Sequence, residues 1–219
     1  MAITATTRGG QPEMGIMERR ERERVEVRQK ILDAARELFA REGYDRVTMR
    51  SIAETIEYSP TTIYNYFEDK CDLVDALCEK DFTELLAALR PNGLAADPVE
   101  RIVQLGLAYA EFGLRHPNHY RFMFMTPFER KAGGDHELSE SGQRAFELLR
   151  SAVVAAIEAG AFRPGDPTHL AQILWASIHG AVALLVTYRP DQFPHAPAAP
   201  DLVRLVCENG VRGLLAGGR

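Results

Sequence analysis

Apolar residues recur at helical spacing along nearly the whole chain, and the two-residue alternation of half-buried strands is almost absent. This periodicity constrains the fold strongly, because an apolar stripe with a period of 3.6 residues is buried as one face of a helix. Helix-ending and helix-starting signals such as Gly43, Ser59-Pro60 and Asp97-Pro98 interrupt the pattern. The sequence therefore predicts an all-α protein with about nine helices.

The cap signals divide the chain into a tail and two helical domains. A flexible tail is predicted over residues 1–17, a small three-helix domain over 18–69 and a larger helical domain over 70–219. The predicted helices lie at about 18–42, 48–56, 59–67, 69–90, 97–115, 116–126, 138–159, 166–188 and 200–215.

The composition is that of an ordinary soluble globular protein. The 219 residues are 46% hydrophobic and 26% charged, with a net charge of -5. This acidic net charge argues against a protein whose whole surface is positive and binds nucleic acid non-specifically. It does not exclude a neutral or basic local face that contacts phosphates. Residues 1–70 are nearly balanced, with 12 basic and 13 acidic side chains.

Cysteine usage and hydropathy both favour a cytoplasmic protein. Cys71 and Cys78 would lie about 10.5 Å apart on a helix, too far for a disulfide, so free thiols in a reducing compartment are expected. The longest apolar stretch, residues 173–186, is shorter than the roughly 20 residues that span a membrane. We expect it to be a core helix, with no membrane partner.

Two short helices at 48–56 and 59–67 have the length and spacing of a helix-turn-helix. In the second, Ile63 and Phe67 are four residues apart and can pack inward. The remaining face offers hydroxyl groups, an amide and aromatic rings without a carboxylate, which suits base edges in a major groove. By pattern alone, a purely structural three-helix unit remains the alternative.

The N-terminal third of the chain resembles the DNA-binding region of TetR-type transcriptional regulators. The resemblance is carried by residues at fixed offsets: Gly43-Tyr44, Val47-Thr48-Met49-Arg50-Ser51-Ile52-Ala53, Ser59, Thr62-Ile63-Tyr64-Asn65-Tyr66-Phe67, Lys70 and Leu73. It implies a homodimeric repressor that binds a palindromic operator and releases it when a small apolar or aromatic effector enters the C-terminal domain.

The resemblance assigns roles to particular residues of the helix-turn-helix. Those expected near bases and adjacent phosphates are Ser59, Pro60, Thr61, Thr62, Tyr64 and Asn65, and those expected at the DNA backbone or beside it are Thr48, Arg50, Tyr66 and Lys70. Two departures from the family pattern matter. Glu57-Tyr58 stands where a glycine and a small aliphatic residue are usual, so a turn that is either slightly strained or differently closed is expected. Pro60 stands at a usually polar position and restricts any contact there to apolar groups, such as a thymine methyl.

An Arg-rich and Glu-rich segment precedes the first apolar stripe, with arginines from Arg19 to Arg28 alternating with glutamates. One interpretation is a solvated helix end supported by ion pairs four residues apart. The other is an arm that reaches phosphates or the minor groove. Both remain open from the sequence.

The C-terminal domain is rich in aromatic residues and methionine, which suits a pocket for an apolar ligand as well as an ordinary core. The predicted pocket residues are Phe82, Leu85, Leu105, Tyr109, Phe112, Tyr120, Phe122, Met123, Trp175 and His179. Around Trp175, the segment 173–180 resembles a C-terminal subgroup named for its Trp-His-Gly signature. The resemblance makes Trp175 and His179 the leading pocket candidates, although a lone buried histidine is more often a core residue.

Small residues form a stripe on the helix at 166–188, which permits close approach of another helix. In a family that dimerises through its last two helices, this stripe implies a homodimer interface. The predicted interface residues are Ala176, Gly180, Ala183, Leu184, Leu202, Leu205 and Val206.

Two other function classes, an enzyme and a protein-binding adaptor, are alternatives to a DNA-binding regulator. An enzyme would need a catalytic motif, and the chain contains no GxSxG, phosphate-binding glycine loop or paired-carboxylate motif. His116 and His119, with Asp135 or His136, are conceivable metal ligands, but His116 before Pro117 is better explained as a helix corner. We therefore expect no enzyme, metal or cofactor. A helical adaptor that binds only proteins is the remaining alternative.

Overall fold

A computed structural model describes residues 11–126, 139–189, 192 and 197–217. Over these residues it contains nine α-helices and no named strand, which confirms the all-α prediction. The helices are α1 (Gln11–Glu42), α2 (Met49–Thr55), α3 (Pro60–Tyr64), α4 (Lys70–Leu89), α5 (Pro98–Arg115), α6 (Pro117–Met125), α7 (Glu140–Glu158), α8 (Pro167–Thr187) and α9 (Ala199–Arg212). A 3₁₀ helix, Arg90–Leu94, occupies the predicted break between α4 and α5.

Three helices differ in length from the prediction, and the simplest case is α9, which ends at Arg212 and not at residue 215. Helix α1 begins at Gln11, before the predicted start at residue 18, so part of the segment predicted as a flexible tail is helical. Residues 1–10 of the predicted tail lie outside the described residues. Helix α3 ends at Tyr64, not at residue 67, because the chain then turns, with the Tyr66 amide donating to the Ile63 carbonyl at 2.9 Å.

The chain divides into two compact units after Leu73, four residues later than the boundary proposed from the sequence. The N-terminal unit contains α1, α2, α3 and the start of α4. Its core is formed by apolar residues that are almost completely buried: Ile31, Leu32, Ala35, Leu38, Phe39, Val47, Ile52, Ala53, Ile63 and Phe67. The stripe predicted for the first helix therefore faces this core.

The C-terminal unit contains the rest of α4 and helices α5 to α9. Helix α5 packs against α7, α8 and α9. At Gly113 of α5 the packing is especially close, because a Cβ atom there would lie 2.6 Å from Val182 of α8 and 2.8 Å from Tyr120 of α6. An antiparallel bridge between Phe162 and Leu215 joins the segments that follow α7 and α9.

Helix α8 has one buried and one exposed apolar face. Leu174, Ile178 and Val182 are buried, whereas Ile173 is 56% exposed and Leu184 is 48% exposed. Within a single chain, the stretch predicted as a core helix is therefore buried on one face and exposed on the other. By length and composition α8 could cross a membrane, but one such helix is weak evidence, since core helices of soluble proteins meet the same criteria.

Candidate functional sites

The helix-turn-helix begins each of its helices with a hydroxyl cap. The Thr48 hydroxyl accepts from the Ser51 amide at 3.0 Å, and the Ser51 hydroxyl oxygen accepts from the Thr48 amide at 2.9 Å. The Ser59 hydroxyl accepts from the Thr62 amide at 3.1 Å and lies 2.9 Å from the Thr62 hydroxyl. Thr48 and Ser59, expected at the DNA, therefore also define where α2 and α3 begin.

One surface of α3 and its flanking residues presents the predicted base-reading groups together. Pro60, Thr61 and Asn65 are exposed, and Tyr64 is 55% exposed. Thr62 and Tyr66 are half-buried beside them. Ile63 is fully buried beneath this surface, as its spacing predicted. We call the exposed surface of Pro60, Thr61, Tyr64 and Asn65 the reader face.

The turn between α2 and α3 carries the strain expected from its sequence. Glu57 has a φ of 60°, the left-handed region that favours glycine. It is the one non-glycine residue with positive φ among the described parts of the chain. The next residue, Tyr58, donates its amide to the Ala53 carbonyl at 2.9 Å, which closes the turn. Glu57 therefore adopts a backbone conformation that favours glycine, as the strained alternative predicted.

Lys70 and Arg50, the two basic residues predicted to lie at the DNA, have partners within the N-terminal unit. The Lys70 ammonium donates to the Tyr44 carbonyl and lies 3.8 Å from the centre of the Tyr44 ring. Arg50 pairs with Glu54 at 3.0 Å, with both side chains mostly exposed. Exposed ion pairs contribute little, about 0.3–0.5 kcal/mol for this spacing, so Arg50 can exchange Glu54 for a phosphate at small cost.

The charged part of α1 shows features of both interpretations left open above. Arg19 and Glu23 form an exposed ion pair at 3.3 Å, four residues apart. Arg20, Arg22 and Arg24 are exposed along the same segment. Arg28 behaves differently, because its guanidinium lies 5.1 Å above the Phe67 ring and so connects α1 to the end of the helix-turn-helix.

The C-terminal unit contains a cavity of about 100 Å³ between six helices. Helix α4 contributes three of the lining residues and α7 contributes four. The full lining consists of Phe82, Leu85, Leu89, Ile102, Leu105, Gly106, Tyr109, Phe124, Gly142, Ala145, Phe146, Leu149, Leu174, Trp175, Ile178, Val206 and Cys207. Almost every lining side chain is apolar, so the cavity suits an apolar molecule.

A hydrogen-bonded cluster lies at one wall of this cavity, with Tyr109 and Trp175 in the lining. The Tyr120 hydroxyl lies 2.6 Å from His179 Nδ1, and the Tyr109 hydroxyl lies 3.0 Å from the same nitrogen. The Tyr109 hydroxyl donates to the Tyr120 hydroxyl at 3.1 Å, and Trp175 Nε1 donates to Tyr109 at 3.4 Å. We call these four residues the tyrosine-histidine cluster.

Burial keeps the tyrosine-histidine cluster uncharged. Desolvation raises the pKa of Tyr109 to about 12 and also raises the pKa of Tyr120. Desolvation lowers the pKa of His179 below its usual value, so this imidazole is neutral at neutral pH. The cluster therefore offers a ligand neutral donors and acceptors that already have partners.

The structure brings half of the predicted pocket residues to the cavity. Phe82, Leu85, Leu105, Tyr109 and Trp175 line it. Tyr120 and His179 do not line it but belong to the cluster at its wall. The other three candidates, Phe112, Phe122 and Met123, are buried without lining the cavity.

The cavity residues of α7 were missed by the sequence analysis. Gly142, Ala145, Phe146 and Leu149 line the cavity from this helix. Their spacing of three and four residues would have identified an apolar face, but not that the face borders a cavity. Cys207 and Val206 of α9 also line it, although Val206 was assigned to the dimer interface.

The other predicted interface residues lie toward the outside of α8 and α9. Ala176 is exposed, Leu184 is 48% exposed and Leu205 is 46% exposed. Gly180, Ala183 and Leu202 are half-buried. A Cβ atom added at Gly180 would meet nothing within 4 Å, so the surface above this glycine is open in the single chain.

Two regions of the chain match described protein families. Residues 31–77 match the bacterial regulatory proteins of the tetR family, and residues 102–207 match the tetracyclin repressor-like C-terminal domain. Both descriptions are of regulatory proteins, and neither is of an enzyme. The two matches correspond to the N-terminal and C-terminal units, respectively.

Two curated relatives match less than half of the chain. The chain is 39% identical over 67 residues to the HTH-type transcriptional repressor AcnR of Corynebacterium diphtheriae, covering 31% of this chain and 35% of that protein. It is 32% identical over 102 residues to the HTH-type transcriptional regulator UidR of Escherichia coli, covering 46% of this chain and 52% of that protein. The chain thus spans about a third to a half of the length of these relatives.

Solved structures match over most of the chain. A protein with unknown function from Rhodococcus sp. RHA1 has a TM-score of 0.70 and 26% identity, covering 87% of this chain and 96% of that one. The TetR family transcriptional regulator PfmR of Thermus thermophilus has a TM-score of 0.63 and 22% identity, covering 85% of this chain and 99% of that one. The likeness to PfmR is one of fold.

Proposed function

Because this chain belongs to the TetR family of regulators, we propose that it is a ligand-responsive transcriptional repressor that binds a palindromic operator as a homodimer in the cytoplasm. The observation that carries the proposal is the combination of an exposed reader face in one unit with an apolar cavity in the other. Within the family, the Trp175, His179 and Gly180 positions relate the chain to the Trp-His-Gly subgroup. The name of its relative AcnR supports repression as the direction of regulation.

The reader face supplies the sequence-selective part of operator binding. Its hydroxyls and amide can donate to and accept from base edges in a major groove, and its tyrosine ring and Pro60 can contact thymine methyl groups. Tyr64 is the leading base-reading residue because its side chain is 55% exposed at the end of α3. Phosphate contacts come from the starts of α2 and α3, where hydroxyl and backbone N–H groups can donate to phosphate oxygens. The hydroxyl groups at these starts are those of Thr48, Ser59 and Thr62.

The cavity selects a small apolar or aromatic effector. The polar groups of the tyrosine-histidine cluster already bond to one another, so a polar ligand would have to break those bonds to find partners. A cavity of about 100 Å³ is smaller than the roughly 150 Å³ cavity that holds benzene in another protein. An effector larger than benzene must therefore displace the surrounding helices.

Displacement of α4 is the proposed route from effector to DNA. Phe82, Leu85 and Leu89 of α4 line the cavity, and the same helix begins at Lys70 in the helix-turn-helix unit. A ligand shifts a conformational equilibrium only through its different affinity for the two states. An effector that needs a wider cavity binds the state with displaced helices more tightly. The two recognition helices of a dimer must match major grooves about 34 Å apart, so a displacement of α4 that changes their spacing weakens operator binding.

The outer face of α8 is the proposed dimer interface, together with Leu202 and Leu205 of α9. Exposed apolar residues recur along this face at Ile173, Ala176 and Leu184, with Gly180 between them. A contiguous exposed apolar stripe on a soluble protein marks an interaction surface. A two-fold dimer pairs the same patch of both chains, so the operator should be a palindrome.

The DNA-binding proposal is tested by selecting operator sequences from random duplex DNA with the full chain, then measuring affinity by fluorescence anisotropy. We expect a palindromic sequence to be bound at least 1000-fold more tightly than random DNA, as is usual for specific DNA-binding proteins. Failure to enrich any sequence, with only weak salt-dependent binding, would refute the repressor and favour the protein adaptor.

The effector proposal has a built-in reporter, because Trp175 is the one tryptophan of the chain and lines the cavity. Small aromatic compounds can be screened by the change in its fluorescence. Binding compounds should be apolar, and they should lower operator affinity. Compounds that bind without any effect on operator affinity would show that this cavity is not the effector site.

The dimer proposal is tested with Gly180→Leu, since the added side chain meets nothing within the chain and should leave the monomer folded. Sedimentation should show loss of the dimer. Gln172→Leu adds the same side chain at an exposed position about 80° away on α8 and serves as the control. A Gly180→Leu variant that stays dimeric would place the interface elsewhere.

A further inference from the structure

Three potential metal ligands meet outside the cavity and outside the tyrosine-histidine cluster. Asp81 and Glu84 lie three residues apart on α4, and His119 lies on α6. His119 Nδ1 is 3.3 Å from Asp81 Oδ1 and 3.5 Å from Glu84 Oε2. One oxygen or nitrogen atom from each residue falls within 4.8 Å of the others. We call these three residues the α4–α6 cluster.

The burial of the cluster is unusual for acidic side chains. The Asp81 side chain is completely buried, the His119 side chain is 19% exposed and the Glu84 side chain is 40% exposed. Buried carboxylates occur in proteins when they are paired with a cation or coordinate a metal. His119 Nδ1 is itself buried and has no hydrogen-bond partner, although two carboxylate oxygens lie within 3.5 Å of it.

We propose that Asp81, Glu84 and His119 bind a divalent transition-metal ion of the Zn²⁺ class. With bonds of 2.0–2.1 Å, ligand atoms around a tetrahedral ion lie about 3.3–3.4 Å apart, close to the two separations measured here. In that geometry the bond from nitrogen to metal points about 35° away from each neighbouring ligand atom. A coordinating nitrogen therefore lies near carboxylate oxygens without a hydrogen bond to either, as His119 Nδ1 does.

The ligand types favour this class of ion over a hard cation. Imidazole suits zinc, iron, nickel and copper, whereas magnesium and calcium prefer sites made of oxygen atoms alone. Three protein ligands leave the fourth tetrahedral position for water. Because the Glu84 side chain is partly exposed, the ion and its bound water can reach the site from solvent. Lys80 lies 3.9 Å from the other oxygen of Glu84, Oε1, and so does not occupy the oxygen that faces His119.

The sequence analysis did not find this site because its ligands come from distant segments. It paired His119 with His116, Asp135 and His136, of which the last two lie outside the described residues. The His116 ring is 5.2 Å from the His119 ring, but His116 is not part of the cluster. An acidic pair three residues apart is common on helices, and only the packing of α6 on α4 shows that a histidine faces it.

A bound ion would tie α6 to α4 beside the effector machinery. Phe82 and Leu85, which line the cavity, follow the two acidic ligands on α4, and Tyr120 of the tyrosine-histidine cluster follows His119. The inference does not depend on the proposed function, since metal binding can be measured without DNA or effector.

The test uses the untagged full chain, stripped with chelator and titrated with Zn²⁺, Co²⁺ or Mg²⁺ alone. We expect one Zn²⁺ per chain by calorimetry, a higher melting temperature with Zn²⁺, and no response to Mg²⁺. Bound Co²⁺ should show the visible absorption of a tetrahedral site without thiolate charge-transfer bands. Absence of stoichiometric Zn²⁺ binding would show that the cluster is only an ion-paired group, and thiolate bands would place the metal at cysteines.

Variants assign the binding to the cluster. His119→Gln and Glu84→Gln remove one ligand each and should weaken Zn²⁺ binding by more than about 100-fold, since even residues that only support a ligand contribute 10–100-fold. His169→Gln, an exposed histidine on α8, is the control and should bind as the original chain does. Circular dichroism in chelator identifies variants that remain folded, and Glu84 is the safer position because its side chain is partly exposed. Unchanged affinity in either folded variant would refute the site.

Discussion

The two units of this protein build their functional surfaces in different ways. In the N-terminal unit, the reader face and the groups that shape it come from one continuous stretch between Thr48 and Lys70. In the C-terminal unit, the cavity is assembled from six helices, with lining residues as distant in sequence as Phe82 and Cys207.

This difference determines how far each surface can be understood locally. The caps at Thr48 and Ser59 and the turn at Glu57 are set by neighbours three to five residues away. The tyrosine-histidine cluster instead joins residues 59 to 70 positions apart. Substitutions should therefore act locally and separably in the first unit, and through packing in the second. The predictions below test this separation.

The largest expected effect is on operator recognition by Tyr64→Ala. Loss of an exposed base-reading side chain should reduce discrimination at one base pair by about 1–3 kcal/mol. Anisotropy titrations against the selected operator and its single-base variants measure this loss. Tyr64→Phe keeps the ring and separates a hydroxyl contact from an apolar one. Equal weakening on all sequences would mean that Tyr64 does not read a base, and effector binding should remain unchanged in both variants.

Trp175→Ala should show the opposite pattern. Operator affinity without effector should remain unchanged, whereas the fall in affinity caused by a compound from the fluorescence screen should be blunted. Coupling of about 1–3 kcal/mol corresponds to a 5–150-fold fall in the original chain. Met125→Ala, an exposed residue of α6 that does not line the cavity, is the control. A Trp175→Ala variant that responds fully to effector would show that Trp175 is only part of the core.

Two substitutions in the turns of the N-terminal unit should have opposite signs. Glu57→Gly should stabilise α2 and α3 by up to about 1 kcal/mol. It removes a left-handed conformation that costs roughly 1–2 kcal/mol for a residue with a side chain, and this gain exceeds the extra conformational entropy that glycine loses on folding. Gly43→Ala should destabilise the unit by about 1–2 kcal/mol, since Gly43 has a φ of 84° and an added Cβ gains no contact. Amide hydrogen exchange measures both. The same sign for both variants would contradict the strain at Glu57.

The smallest expected effect comes from Lys70→Ala. Loss of one phosphate contact should weaken all DNA sequences alike and reduce the slope of log affinity against log salt by about 0.9. The bond from Lys70 to the Tyr44 carbonyl suggests a competing role in holding the unit together. An unchanged salt slope with faster hydrogen exchange would show that Lys70 acts on the fold alone. Lys70→Arg keeps the charge and should keep the slope.

Properties set by neighbouring residues could be predicted from the sequence of this protein. Helical periodicity and cap residues predicted the helices well, because both depend on side chains within about one turn of each other. The inward direction of Ile63 and the strained turn at Glu57 were predicted for the same reason. The end of α3 was not predicted, because the pattern of apolar residues continues to Phe67 after the helix has ended.

Only the tertiary structure decided which apolar residues border empty space and which polar residues meet. Phe112, Phe122 and Met123 are as apolar as the residues that line the cavity, yet they fill the core, because cavities arise from how helices pack. His179 is held by two tyrosines from α5 and α6, and His119 faces two carboxylates of α4. Such contacts depend on helix positions in three dimensions, which hydrophobic periodicity along one chain does not encode.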